Sequence, residues 1–324
     1  MLSRVAERMY WFGRYLERVE NTARLINVNT NLIMDLPKVK HIWESLIEIT
    51  GTRDAFDQRF SRIDERNVMK FLLDDEFSSI KAAILGAREN ARTTREIMPS
   101  ESWVLINELS IYMNKHKTKG INRAGRHELL DEIIGICNQI TGYLEGTMSA
   151  DTPYHFIKIG RNLERADMTT RIVDVGCLNL MNPELEIGQY ENILWMSVLT
   201  SLNAYQMYRQ QVQDTVNGED VVDFLLKNRQ FPRGVAHCLA EVAAACQSLP
   251  RNDNALRSIT HAQRTIDQND VIALLNNEKL HGFIDDVQLD LSDINGELAT
   301  TWFQRNVDQE SNPSQSFTQT HLFT

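Results

Sequence analysis

The amino-acid sequence predicts an all-α protein, a large helical bundle built from two related halves. Apolar residues recur at helical spacing in nearly every segment between breakers, strand signals are scarce, and one helical signature occurs twice. Around Gly13 the chain reads G-R-Y-L-E-R-V-E-N-T-A-R-L-I-N-V, and around Gly160 it reads G-R-N-L-E-R-A-D-M-T-T-R-I-V-D-V, an offset of 160 − 13 = 147 residues. Core packing alone would repeat the apolar positions. Here Arg14/Arg161, Glu17/Glu164, Arg18/Arg165 and Arg24/Arg171 repeat as well, and Glu20/Asp167 conservatively, which points to a shared polar site or a shared ion-pair network. The repeat suggests a pseudo-twofold arrangement of an N-terminal half, 1–150, and a C-terminal half, 151–305.

The first helix starts near Ser3, a good N-cap, and runs to about Met34, ahead of Asp35-Leu36-Pro37. Shorter helices fall at 41–50, 52–61 and 64–73, and a longer one covers 75–97 and stops at Pro99. Ser100-Glu101-Ser102 opens a helix that reaches His116, and Lys117 to Gly120 separates it from another at 123–148. Ser149 to Pro153 is the clearest internal boundary, with Thr152 as N-cap and Pro153 at the first helical position. The second signature helix runs from there to Leu180, before Asn182-Pro183. Helices at 188–216, 219–228, 233–247, 252–266, 268–277 and 279–304 complete the bundle, and the Ser-, Gln-, Asn- and Thr-rich segment 306–324 is expected to be a disordered tail.

At 324 residues, 42% hydrophobic and 24% charged, the composition is that of a globular chain with a sizeable core. A net charge of −10 argues against a duplex nucleic-acid binder, which needs clustered Lys and Arg. Cys137, Cys177, Cys238 and Cys246 show no C-x-x-C pair or metal-ligand spacing, so they read as buried free thiols, and no metal ligand set is assigned. Met1 to Arg18 lacks the apolar run of a signal peptide, and no stretch is long and uncharged enough to span a bilayer, so a cytoplasmic location without membrane attachment is expected.

A step of about 100° per residue places Gly13, Glu17, Glu20 and Arg24 in one narrow stripe beside the apolar face of Phe12, Leu16, Val19, Ala23 and Ile26. Gly160, Glu164, Asp167 and Arg171 form the matching stripe, while Arg14, Arg18 and Thr22 occupy a separate flank. A helical glycine costs about 1 kcal/mol relative to Ala. Close approach of another backbone is the simplest reason for Gly13 and Gly160, and two signature helices crossing there would bring both carboxylate stripes together. Two readings stand: an ion-pair seam, or a site for a zwitterionic group such as an amino acid, or for Mg²⁺ beside a phosphate.

Arg88, Arg92 and Arg95, spaced by four and three, make a basic stripe that reads as an anion site or as surface pairs with Glu89 and Glu96. Arg209 beside Tyr208, and Arg233 in Phe231-Pro232-Arg233-Gly234, read as ligand-orienting groups or as arginines that pack on an aromatic and cap a helix. Asp285, Asp286, Asp290 and Asp293 read as a solvated acidic helix face, and no zincin motif, catalytic triad, P-loop or Rossmann fingerprint is present.

The two Glu-Arg signatures, Arg88-Glu89-Asn90-Ala91-Arg92, Phe231-Pro232-Arg233-Gly234 and the opening Leu2-Ser3-Arg4-Val5-Ala6-Glu7 resemble the alpha-E family, bacterial helical proteins with a recurrent Glu-Arg motif. The resemblance spans roughly 1–305 and implies association with circularly permuted ATP-grasp amide ligases and transglutaminase-like proteins in peptide synthesis or modification. Without a nucleotide-binding loop, the chain is expected to be an accessory partner that binds the ligase or an anionic or zwitterionic peptide. Candidate ligand-binding residues are Arg14, Glu17, Arg18, Glu20, Arg24, Arg88, Arg92, Arg95, Arg161, Glu164, Arg165, Asp167, Arg171 and Arg233. The alternative is a Mg²⁺-dependent helical enzyme with Glu17 and Glu164 as general acid and base.

Overall fold

Helical periodicity governs almost all of the chain in the computed structural model, which describes residues 3–35, 41–180 and 191–303. Among the described residues there are fifteen α-helices and no strand. The N-terminal part holds α1 (Ser3–Asp35), α2 (Ile42–Ile49), α3 (Arg53–Asp57), α4 (Glu65–Asp74), α5 (Ile80–Thr94), α6 (Ser100–Ile121) and α7 (Arg123–Thr147). The second signature lies on α8 (Thr152–Leu180), followed by α9 (Glu191–Ser201), α10 (Tyr205–Gln211), α11 (Gly218–Lys227), α12 (Val235–Gln247), α13 (Asp253–Gln268), α14 (Val271–Asn276) and α15 (Leu280–Leu298). A π-helical turn, Ala299–Phe303, ends the described chain, and its Trp302 indole donates to Pro250 O at 2.9 Å.

The two signature helices form the centre. α1 packs along α8 and is flanked by α5 and α7, while α12 and α15 cover the other sides of α8. Gly13 and Gly160 sit at the crossing. A Cβ on Gly13 would press into the Ile157 carbonyl and lie 3.1 Å from Arg161 N, and one on Gly160 would press into the Tyr10 carbonyl. Close backbone approach is therefore what each glycine allows. Phe12, Leu16, Val19, Ala23 and Ile26, with Ile159, Leu163, Ala166 and Val173, are buried beside it, as the helical stripe requires.

Several element ends differ from the sequence reading, each for a local reason. Lys117 to Gly120 continues α6 instead of breaking it; Gly120 is buried, and its O accepts from Arg126 Nε at 2.9 Å. The helix read over 75–97 begins at Ile80, because the Asp75 carboxylate accepts from Phe77 N (2.9 Å) and Ser78 N (3.0 Å) and Ser79 Oγ caps Ala82 N (3.1 Å). The long helix read over 188–216 is divided by Asn203, whose φ of 53° places it in the left-handed region. α3 is one short turn of the span read as 52–61. At α8 the cap is Asp151, whose O accepts from His155 N at 3.0 Å, and Thr152 is already helical. The stop at Leu36-Pro37, the one at Asn182-Pro183 and the tail 306–324 lie outside the described residues. All four cysteines are free and buried.

Candidate functional site

The charged residues of the two signatures reach across the crossing and exchange partners. From α1, Arg14 Nε donates to Glu164 Oε2 at 2.7 Å, and Arg18 donates through Nε to Oε1 (2.5 Å) and through Nη2 to Oε2 (3.0 Å). From α8, Arg165 Nε lies 2.9 Å from Glu17 Oε1, an ion pair without hydrogen-bond alignment. Thus the Arg flank of one helix meets the Glu stripe of the other. Burial pushes the Glu164 carboxyl up, but Arg18 and Arg14 together outweigh it and hold the group at about 2. Burial acts the same way on Glu17, and Arg165 and Arg233 hold its carboxyl below the usual range.

Around Glu17 the network is buried and dense, although Asn21 Nδ2, Arg24 Nε and Arg165 Nε find no hydrogen-bond partner among the described residues. Arg233, carried by the turn before α12, donates to Glu17 Oε1 at 2.7 Å, to Glu20 Oε1 at 2.8 Å and to Asn21 Oδ1. Arg24 Nη2 adds a 2.8 Å bond to Glu20, and Thr169 on α8 donates to the Arg233 carbonyl at 2.9 Å. Arg233 therefore binds α12 to α1 instead of packing on an aromatic and capping a helix. Glu17, Glu20, Asn21 and Arg233 are each at most 8% exposed, so these charges are out of reach of solvent.

The Glu164 side opens onto a cleft of about 490 Å³. Arg18, Thr22, Glu164, Asp167 and Arg171 form its polar floor, and Trp11, Tyr15, Phe77 and Met168 form apolar walls. Thr50 and Thr52 line it after α2, and Ser78, Ser79 and Ile80 bring the N-terminus of α5 to it. The dipole of that helix end favours an anion, although Ser79 Oγ already caps Ala82 N there and Glu76 lines the same side. The Trp11 and Tyr15 rings lie 5.6 Å apart, with the Arg18 guanidinium over Tyr15 at 5.9 Å. Asp167 accepts from Arg171 Nε at 3.0 Å. Gly51, at φ 64°, makes the turn that lets the Arg171 guanidinium pack against it. Since Arg18 gives Nε and Nη2 to Glu164, its Nη1 has no protein acceptor among the described residues. The hydroxyl of Ser78 is likewise buried without a partner.

The remaining candidates lie elsewhere. Arg161 pairs with Glu145 at 2.7 Å, Arg88 donates to Asn107 Oδ1 at 2.7 Å and lies over Trp103, and Arg92 pairs with Glu89 at 2.7 Å on the surface. Arg95 is exposed in the 3₁₀ turn after α5. Arg209 donates to the Asp214 carbonyl at 2.9 Å. Among the residues read as a solvated acidic face, Asp290 departs from that reading: it accepts from Thr265 Oγ1 at 2.8 Å and is mostly buried. The aromatic wall and the 77–80 segment were not singled out in the sequence. Trp11 and Tyr15, one turn apart beside the signature, and Ser79 as an N-cap were the available signals.

Uncharacterized protein Mb2597 of Mycobacterium bovis and uncharacterized proteins MT2643 and Rv2567 of Mycobacterium tuberculosis are each 21% identical to this chain over 276 residues. Each match covers 78% of the chain but 30% of the relative's length. No solved structure matches. Among the described residues, no helix is long and apolar enough to cross a membrane. The family described as "a predicted alpha-helical domain with a conserved ER motif" matches residues 1–303, a span that includes both Glu-Arg pairs at the α1–α8 crossing. The chain belongs to the Alpha-E family.

Proposed function

We propose that this chain is the binding partner of an ATP-grasp-type amide ligase in peptide synthesis or modification, and that its cleft holds an anionic or zwitterionic peptide group. The observation that carries the reading is the composition of the cleft: arginine and carboxylate side by side on the floor, aromatic walls, and a helix N-terminus at one side. A carboxylate would dock on Arg18 Nη1 and the first turn of α5, an ammonium on Asp167, and an apolar side chain against Trp11, Tyr15 and Phe77. Relatives in which the matched stretch is 30% of the length fit a module that works beside further polypeptide. The same residues speak against acid–base chemistry. Glu17 and Glu164 are each paired with two guanidiniums and held ionised, so neither has a proton to give near neutral pH, and the lowered pKa makes each a weak base.

Calorimetric titration of the full chain with short peptides bearing free termini, against the same peptides acetylated or amidated, tests the cleft. Binding should need both termini and should fall at least tenfold in Arg18→Gln and Asp167→Asn at unchanged far-UV dichroism. Equal affinity for blocked peptides, or variants that bind like the parent, would overturn it. Co-purification with an ATP-grasp protein tests the partner separately.

A further inference from the structure

Outside the cleft, α8 and α15 bring together Asp174, His281 and Asp285, one ligand atom from each lying within 4.8 Å of the other two. His281 and Asp285 are one turn apart on α15 and share its exposed face, whereas the Asp174 side chain is 12% exposed against α15. The imidazole is placed between them. Its Nδ1 is 2.8 Å from Asp174 Oδ1 and its Nε2 is 3.6 Å from Asp285 Oδ2.

This geometry fixes the roles of the two ring nitrogens. A 2.8 Å contact to a buried carboxylate makes Nδ1 the N–H donor, so the Nε2 lone pair faces the side of Asp285. A carboxylate behind a histidine is the arrangement that orients metal-binding imidazoles and raises their basicity. The Nε2 to Oδ2 separation is close to the edge of about 3.4 Å expected for two ligands on a tetrahedral ion with bonds of about 2.1 Å.

Charge provides a second, independent argument. Among the described residues, Asp174 has no lysine or arginine within ion-pair distance. Arg171, one turn earlier on α8, pairs with Asp167 and reaches Asp174 only through its weaker, longer-range field, while Glu48 of α2 adds a negative field beside Asp174. A mostly buried carboxylate partnered by a neutral imidazole is costly, and a cation on that imidazole offsets part of the cost. At neutral pH a divalent ion on Nε2 supplies the charge.

We propose that His281 Nε2 and Asp285 bind a borderline divalent cation of the zinc class at the α8–α15 seam, with Asp174 as the positioning residue behind the imidazole. An imidazole ligand and a single exposed carboxylate suit zinc better than Mg²⁺, which prefers all-oxygen octahedra. The exposed face leaves the remaining positions to water, so the ion would be exchangeable and would tie α15 to α8.

The test is calorimetric titration of the EDTA-stripped full chain with zinc sulfate, and with magnesium chloride for contrast. One zinc per chain is expected, with affinity reduced at least tenfold in His281→Ala and in Asp285→Asn and about 10- to 100-fold in Asp174→Asn. His281 and Asp285 are exposed, so their variants keep the fold, as far-UV dichroism checks. Absence of a zinc isotherm, or one unchanged in the His281 and Asp285 variants, overturns the proposal and leaves the cluster as an imidazolium clasp between two carboxylates.

Discussion

Replacing Gly13 by Ala is the sharpest test of how the signature helices meet. Intrinsic propensity favours the change by about 1 kcal/mol. The structure opposes it, because the new methyl would lie under 3.0 Å from the Ile157 carbonyl and 3.1 Å from Arg161 N. These are backbone atoms in a helix and cannot rotate away, so the overpacking cost falls at the upper end of about 1–3 kcal/mol. Separating the helices by about 1 Å to relieve the clash would also draw Arg14 and Arg18 back from Glu164, weakening charge-assisted hydrogen bonds of about 1.5–3 kcal/mol each. Losing one of them while gaining propensity gives a net loss of about 4 kcal/mol.

Urea unfolding followed by far-UV dichroism measures it, with Gly142→Ala as the control. Gly142 lies in the interior of α7 and a Cβ there meets nothing within 4 Å, so that variant should gain about 1 kcal/mol. A Gly13→Ala midpoint equal to or above the parent's would refute the close-approach argument.

Acid should unfold the protein through the seam. Glu164 ionises at about 2 in the fold against an ordinary 4.5, so its contribution of about 3 kcal/mol is complete above about pH 5 and is lost as pH falls toward 2; Glu164→Gln should flatten that part of the stability–pH curve. Gly51→Ala forces an L-residue to φ 64° at a cost of about 1–2 kcal/mol and pushes on Arg171 Nη1, 2.8 Å from the added methyl; peptide titration should show weaker binding than in the parent. Burial pushes the thiols of Cys177, Cys238 and Cys246 up to about 12 and that of Cys137 upward too. A thiol-reactive disulfide reagent should therefore label none rapidly in the native chain and all four in urea.

Helical class, most helix positions and the close approach at Gly13 and Gly160 were legible because they depend on periodicity and on one costly residue type. Ends fixed by side chains were not. The Asp75 turn that delays α5 depends on a carboxylate folding back on Phe77 N and Ser78 N, and the break at Asn203 on a single left-handed residue. The role of Arg233 was hidden because Glu17 is 216 residues away, and His281 meets Asp174 across 107. The cleft draws on α1, α8, the turn after α2 and the start of α5, so no local window of sequence contains it.

The two copies of the signature are alike in sequence but differently surrounded, and under the proposed function that difference bears on where a ligand would sit. At Glu17 of the first copy, Arg161, the second copy's counterpart of Arg14, turns away to Glu145, and Arg233 bonds to Glu17 instead while also joining Arg24 on Glu20. Glu20 thus has two guanidiniums. Its counterpart Asp167 pairs with Arg171, lies in the field of Arg14 and lines the cleft. Under the proposed binding role, Asp167 on the cleft is where an ammonium from outside would be received. The adjacent Arg18, already steadied by Glu164, is placed to take the carboxylate of the same ligand. If the cleft is the binding site, Arg233→Leu should act on stability and Asp167→Asn on affinity.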